Sequence, residues 1–278
     1  MADQYPARLL CDLVDVQPSS FYYHPLSNDD LQVLALIEEV LLEYPTYGYR
    51  RVTVQLNRSK QYHINHKRVL RLMQEHDLVQ AARRRVRTTN SNHHYGRYPN
   101  LVKGLDVVRP DQVWCGDITY IRLQRQFVYL AILIDVYTRS IRGWHLGRSL
   151  SSSLALQALE QALQHRRPEV HHSDQGIQYA ATGYIERLQA ADSRISMAAI
   201  GQPTENPYAE RVIRTIKEEE VYLSDYLDLA DARDQIGRFI DDVYQTKRIH
   251  SALDYLPPAE FEAAYWLAQG SETMALIG

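Results

Sequence analysis

Three carboxylates stand where they could do chemistry: Asp117 in Trp114-Cys115-Gly116-Asp117-Ile118-Thr119-Tyr120, Asp174 in His172-Ser173-Asp174-Gln175-Gly176, and Glu210 near the start of an amphipathic stretch. Thirty-five residues separate the last two. Hard divalent cations such as Mg²⁺ take oxygen ligands and keep waters and phosphate oxygens in their shell, so a few convergent carboxylates hold a pair of ions. That layout suits two-metal phosphoryl transfer on a phosphodiester backbone. Each carboxylate also has a plainer reading. Asp117 lies among Val113, Ile118, Tyr120 and Ile121, where an unpaired charge is costly, and it could pair with Arg122 or Arg139. Ser-Asp-Gln-Gly around Asp174 could be a simple turn.

Glu210 has the fullest local argument. Asn206 is a cap candidate, Pro207 suits the first helical position, and Ala209, Val212, Ile213 and Ile216 form an inward stripe, which puts Glu210 in the first turn. Arg214 and Lys217 follow at i+4 and i+7, a carboxylate trailed by two cations on one stripe. An ordinary surface ion-pair row is the competing reading.

The elements that must position these groups follow from the hydrophobic pattern. Gln112 to Leu123, Gln126 to Asp135 and Ser140 to Leu146 are expected strands joined by short turns, hence an antiparallel meander. A helix is expected over Ser151 to His165 (Leu154, Leu156, Leu159, Leu163), then a short strand Glu169 to His172 leading to Asp174. A helix Thr182 to Ala190, a strand Arg194 to Met197 and a turn with Gly201 and Pro203 precede the Glu210 helix. Three strands followed by alternating helices and strands is an α/β layout of the ribonuclease-H type. Asp135, at the end of the second strand, and Glu205 are rival carboxylates.

The first third of the chain differs. Asp29 to Tyr44 keeps helical spacing through Leu31, Leu34, Ile37, Val40 and Leu41, with Ser27 and Asn28 as cap candidates and Pro45 beyond the end. A turn at Tyr47-Gly48-Tyr49-Arg50-Arg51 enters a helix through Val52, Val54 and Leu56. A third helix starts at Asn65, with Val69, Leu70, Leu72 and Met73 inward and Lys67, Arg68 and Arg71 opposite, as a recognition helix needs. A three-helix bundle with a solvated basic face is the alternative. From Ala81 to Pro110 the chain carries Arg83, Arg84, Arg85 and Arg87, then His93, His94, Tyr95, Arg97 and Tyr98 without hydrophobic period, as a basic linker able to lie along DNA. The expected organisation is a helical module over 1–80, a linker over 81–110 and a catalytic domain with a helical extension over 111–278.

The composition agrees. A 278-residue chain with 45% hydrophobic residues builds a core, and no stretch is apolar enough to span a membrane or direct secretion, so a cytoplasmic protein is expected. Net charge is −3, yet the residues from Gly48 to Lys103 carry +11 and the rest −14. That asymmetry suits a phosphate-binding segment beside an acidic chemical site. Cys11 and Cys115 are far apart in sequence, which argues against a disulfide framework or a cysteine zinc site.

Over nearly its whole length the chain resembles the OrfB product of a large family of bacterial insertion-sequence transposases, whose catalytic domain is similar to retroviral integrases. The resemblance rests on Tyr47 to Arg51, Asn65 to Met73, Trp114 to Tyr120, His172 to Gly176, Gly201 to Glu210, and Tyr244, Arg248, His250, Ser251, Leu253, Pro257 and Pro258. It implies an integrase-like core of mixed sheet flanked by helices behind a small helix-turn-helix-like domain. It also implies Asp117, Asp174 and Glu210 as an Asp-Asp-Glu triad binding two Mg²⁺ or Mn²⁺ ions, with Lys217 touching the element's end. Arg50, Arg51, Lys67, Arg68, Arg71, Arg83, Arg84, Arg85, Arg87, Arg214, Lys217, Arg248 and His250 are the expected DNA contacts. Implied partners are the element's terminal inverted repeats, target DNA, further copies of the chain assembled on DNA, and an upstream-frame (OrfA) product. Where the family often has Asp-Asn before its Glu, this chain has Glu205-Asn206. Two rival functions remain: a metal nuclease of ribonuclease-H type that cuts without joining, and a DNA-binding regulator without catalysis.

Overall fold

The computed structural model describes residues 29–58, 62–79, 98–124, 126–199 and 205–275, besides positions 11 and 17, with side chains described to Gln269. Contacts divide the chain into two compact units, Met1–Gln80 and Ala81–Gly278.

The first unit contains α1 (Asp30–Glu43), α2 (Tyr49–Arg58) and α3 (His66–Glu75). Its buried set is Val33, Leu34 and Ile37 on α1, Val52, Thr53 and Leu56 on α2, and Val69, Leu72 and Met73 on α3. Leu31, expected to face inward, is 80% exposed, and Val33 takes its role. The reason is angular: Val33 lies one turn before Ile37 on the same face, whereas six residues carry Leu31 well round the helix. The α2–α3 turn is stitched by Asn57, whose Oδ1 accepts from Ile64 N at 2.8 Å and whose Nδ2 donates to Ile64 O at 3.0 Å. Asn65 caps α3 by accepting from Lys67 N. The expected α1 caps, Ser27 and Asn28, lie outside the described residues; Asp29 occupies the cap position without capping.

In the second unit, β1 (Val113–Arg122), β2 (Phe127–Asp135) and β3 (Ile141–Gly147) form the meander, followed by α4 (Ser152–Leu163), β4 (Val170–Ser173), α5 (Thr182–Ala190), β5 (Arg194–Met197) and α6 (Pro207–Ile216). The sheet order is β3-β2-β1-β4-β5. β1 runs antiparallel to β2 and parallel to β4, making a mixed sheet. Helices cover both faces, so β2 is almost continuously buried rather than alternating. On one face α4 and α5 pack against Trp114, Ala131 and Leu133. On the other, Ala209, Val212, Ile213 and Ile216 of α6 meet Val113, Cys115 and Ile132. At Gly143 a Cβ would stand 2.2 Å from Ala158 O, so glycine is what lets α4 lie directly on β3.

Beyond α6 a π-helical turn (Lys217–Val221), α7 (Leu229–Arg238), a second π-helical stretch (Phe239–Tyr244) and α8 (Pro258–Ala275) complete the chain. Asp228 caps α7 by accepting from Ala230 N and Asp231 N. The expected linker differs from the structure in its last part. Leu101 N donates to Ser196 Oγ at 2.8 Å, and Leu101, Val102 and Val107 pack on the core, so 98–110 is a strap of the second unit. The cysteines at 11 and 115 are both buried and free. Among the described residues, no helix is long and apolar enough to cross a membrane.

Candidate active site

The two aspartates meet through strand register. β1 and β4 pair in parallel up to Gly116 and Ser173, so the next residues along each strand are Asp117 and Asp174. Asp117 shares the strand face of Val113 and Cys115, which belong to the core on the α6 side. Glu210 lies in the first turn of α6, whose predicted stripe is buried throughout. Asp174 Oδ1 accepts from Gly176 N at 2.9 Å, which combines the turn expected there with a position beside Asp117.

Electrostatics ties the three together. The Asp117 carboxyl is pushed up to about 8, by burial first, then by the Asp174 charge and the Glu210 charge. A bond from Ile118 N at 2.8 Å and the Lys217 ammonium oppose the shift without cancelling it. Neither Arg122 nor Arg139 pairs with Asp117; the Arg139 guanidinium lies over the Tyr208 ring at 4.3 Å. Lys217 sits in the π-helical turn with its ammonium 4.5 Å from the Tyr120 ring centroid. Burial lowers its pKa and the Asp117 charge raises it, so this cation acts on Asp117.

The rival carboxylates are engaged elsewhere. Glu205 Oε2 accepts from Ala199 N at 2.8 Å and Asn100 Nδ2 at 2.9 Å, which holds its carboxyl below the usual range and fastens the strap. Asp135 is fully buried and accepts from Thr138 N and Thr138 Oγ1 in the β2–β3 turn and from Asp111 N ahead of β1. Arg142 joins this network, bridging Asp111 at 3.0 Å and Glu262 of α8 at 2.8 Å.

Among the described residues, no group of three or more His, Cys, Asp or Glu is drawn close enough to hold a metal ion. The donor set nonetheless fits one. Asp117, Asp174 and Glu210 offer acceptor oxygens to a hard cation, and their repulsion at Asp117 is what a positive charge between them would relieve.

Sequence reasoning misplaced or missed several groups. Asn206 holds the cap position of α6 but makes no cap bond; it is 3% exposed and donates from Nδ2 to Gly116 O at 2.9 Å. His172, read only as part of a strand, is buried, with Nδ1 2.8 Å from Ser196 Oγ and Nε2 3.0 Å from Glu205 O. Its neighbour His171 meets Tyr184 Oη at 2.9 Å, and burial lowers its pKa to about 3, so it is a neutral core group. The only sequence signal for either role is a pair of histidines placed in a short expected strand.

The expected DNA contacts divide. Arg248 is 6% exposed and binds Glu219 through Nε and Nη2, each at 2.7 Å, with the His250 ring 3.2 Å away. That placement favours a structural role for Arg248 beside the DNA contact expected of it, because burying a guanidinium requires the carboxylate that now occupies it. Arg68 pairs with Asp29 and Asp30, and Arg71 with Asp30 at 2.7 Å and Glu75 at 2.9 Å, so two of the three α3 cations are tied within the unit. Lys67 is exposed and lacks an ion pair among the described residues. The Arg50 and Arg51 guanidiniums lie over the Tyr49 and Tyr47 rings. Arg214 is half-buried on α6, and Arg83, Arg84, Arg85 and Arg87 lie outside the described residues.

A mixed sheet covered on both faces, with acids at adjacent parallel strand ends and following a three-helix module in the chain, defines a ribonuclease-H-like enzyme core in a chain that also carries a helix-turn-helix-like region. Residues 107–203 and 191–258 match Integrase core domain families, and residues 28–87 match the HTH-like domain family. The chain is 32% identical to the transposase for insertion sequence element IS629 of Shigella sonnei, over 99% of this chain and 97% of that one. It is 33% identical to the transposase for IS904 of Lactococcus lactis, over 78% and 87%. Among solved structures, a simian T-cell lymphotropic virus intasome chain aligns over 81% of this chain and 74% of that one, at 16% identity and a TM-score of 0.50, a likeness of fold. The chain belongs to the OrfB-type insertion-sequence transposases, enzymes with an integrase core.

Proposed function

We propose that Asp117, Asp174 and Glu210 hold the divalent ions with which this transposase cuts the ends of its insertion sequence and joins them to target DNA. The observation that carries this reading is the pair of adjacent strand ends facing α6, with the Asp117 carboxyl pushed up by the charges of both partners. A pair of Mg²⁺ or Mn²⁺ ions supplies activation of an attacking water or terminal 3′-hydroxyl and stabilisation of the leaving 3′-oxygen. The protein's part is to hold three carboxylates in convergence and exclude rival acids. Glu205 and Asp135 are already bonded and take no part.

Terminal-repeat DNA is gripped by Arg50, Arg51, Lys67 and the arginines at 83, 84, 85 and 87, with Arg214 and Lys217 near the scissile strand. Arg68 and Arg71 contribute after releasing Asp29 and Asp30, and His250 contributes from beside Arg248. A helical module to residue 80, a linker over 81–110 whose last part straps the catalytic domain, further copies on DNA and an upstream-frame partner complete the reading. The test is labelled end DNA and target DNA with Mg²⁺. Asp117→Ala, Asp174→Ala and Glu210→Ala are each expected to abolish cleavage and joining while end binding persists. Ordinary metal-dependent joining by any one of them sinks the triad, and cutting without joining by the parent favours the nuclease instead.

A further inference from the structure

Glu205 and Asn206, the two residues ahead of α6, are each held by one of the strands that present the other two carboxylates. The His172 ring on β4 reaches Glu205 O through Nε2 at 3.0 Å while Nδ1 faces Ser196 Oγ at 2.8 Å. That pairing makes Nε2 the donor and leaves Nδ1 to accept. Asn206 Nδ2 donates to Gly116 O at 2.9 Å, on the peptide immediately before Asp117 and where the β1–β4 ladder ends. The anchor is firm, because even a Cβ on Gly116 would press on Tyr179, His171 and Leu133 at 3.1–3.2 Å. Asn206 is a tether rather than a cap: its Oδ1, the atom a capping asparagine offers to first-turn amides, has no partner among the described residues.

Asn206 precedes α6 with non-helical backbone angles, but its carbonyl accepts from Glu210 N at 3.4 Å, so the backbone links the tethered residue directly to Glu210 in the first turn. We propose that Asn206 is a positioning residue that sets the rotation and depth of α6 against the Gly116 peptide, so that Glu210 can join Asp117 on a cation when one binds. Without the tether, the apolar stripe still docks α6, but nothing polar fixes its first turn. The inference rests on Asp117, Asp174 and Glu210 being the metal-binding set.

The test titrates Mn²⁺ into the full chain and reads free ion by electron paramagnetic resonance, alongside binding of end DNA without metal. Asn206→Ala removes the tether; Asn206→Asp keeps the volume and faces a carboxylate to a carbonyl, so one of the pair remains informative if the other folds poorly. Groups that orient metal ligands typically change metal affinity by about 10–100-fold, so half-saturation is expected to rise by about tenfold or more. End-DNA binding is expected to hold, and strand transfer to recover in excess Mn²⁺. Half-saturation within about twofold of the parent in both variants overturns the proposal. So does a parallel collapse of melting temperature and end binding in both, which would make Asn206 a general folding residue. Asp117→Ala is the separating control: if it binds Mn²⁺ like the parent, the ligand assignment fails rather than the role of Asn206.

Discussion

Asp117 is the residue where fold and chemistry pull against each other. Its carboxyl goes from an ordinary 3.8 to about 8 because burial and the Asp174 and Glu210 charges disfavour ionisation. A folded-state pKa above the unfolded one means that the folded chain binds the extra proton, so this carboxyl's own contribution to cation-free stability is fully present below about 4 and is lost as pH rises through about 8. A cation needs the carboxylate, so at pH 7 its binding releases a proton and tightens as pH rises toward that value. Calorimetry of Mn²⁺ binding in buffers of different ionisation heat is expected to show proton release that vanishes above pH about 8. Release that persisted unchanged at higher pH would place the proton elsewhere. Lys217 bears on the same equilibrium, since its ammonium favours ionised Asp117 from beside the Tyr120 ring. Lys217→Ala is therefore expected to move the pH dependence of Mn²⁺ binding upward, whereas a purely DNA-contacting lysine would leave it alone.

At the scale of elements, the Arg248–Glu219 pair joins the π-helical turn after α6 to the segment entering α8, with both side chains nearly buried. Removing one partner of such a pair leaves an uncompensated charge and typically costs about 3–5 kcal/mol, whereas replacing both by apolar groups costs far less. Urea denaturation is expected to show Arg248→Ala well below Arg248→Met with Glu219→Leu. Equal loss in both, or a changed salt dependence of DNA binding with no loss of stability, would return Arg248 to the DNA interface. Gly143→Ala is expected to cost at least about 1–3 kcal/mol, because its methyl meets the Ala158 carbonyl and α4 must move; an unchanged melting temperature would contradict that packing. Much of this architecture was legible beforehand. α5, β5 and the stripe of α6 were readable because strong local periodicity and neighbouring Pro or turn residues agree with the tertiary packing. The strap over 98–110 was not, since Leu101, Val102 and Val107 have no period and find their partners only in the folded core. The tether at Asn206 was hidden for a related reason: its partner, Gly116, is ninety residues away in sequence. The adjacency of Asp117 and Asp174 likewise needs the β1–β4 pairing, which no local pattern encodes.

Across the whole molecule, charge is divided as labour is divided: the stretch from Gly48 to Lys103 carries +11 while the remainder carries −14. Counterion release makes such a segment bind polyanions with an affinity that falls linearly with salt on logarithmic axes, each neutralised phosphate adding about 0.9 to the slope. Formal charge overstates what α3 can give, because Arg68 and Arg71 already face Asp29, Asp30 and Glu75. Either must surrender a carboxylate before taking a phosphate, and the freed acid then repels the DNA. Exposed Lys67 has no such debt among the described residues. In fluorescence anisotropy with end DNA across a salt series, Lys67→Ala is therefore expected to weaken binding about equally on all sequences and reduce the slope by about 1. Arg68→Ala is expected to change the slope by less while loosening the pairing of α1 with α3. If Arg68→Ala moved the slope as far as Lys67→Ala at unchanged stability, the Asp29–Asp30 pairing would have to open freely on DNA, and α3 would present its full basic face to the duplex.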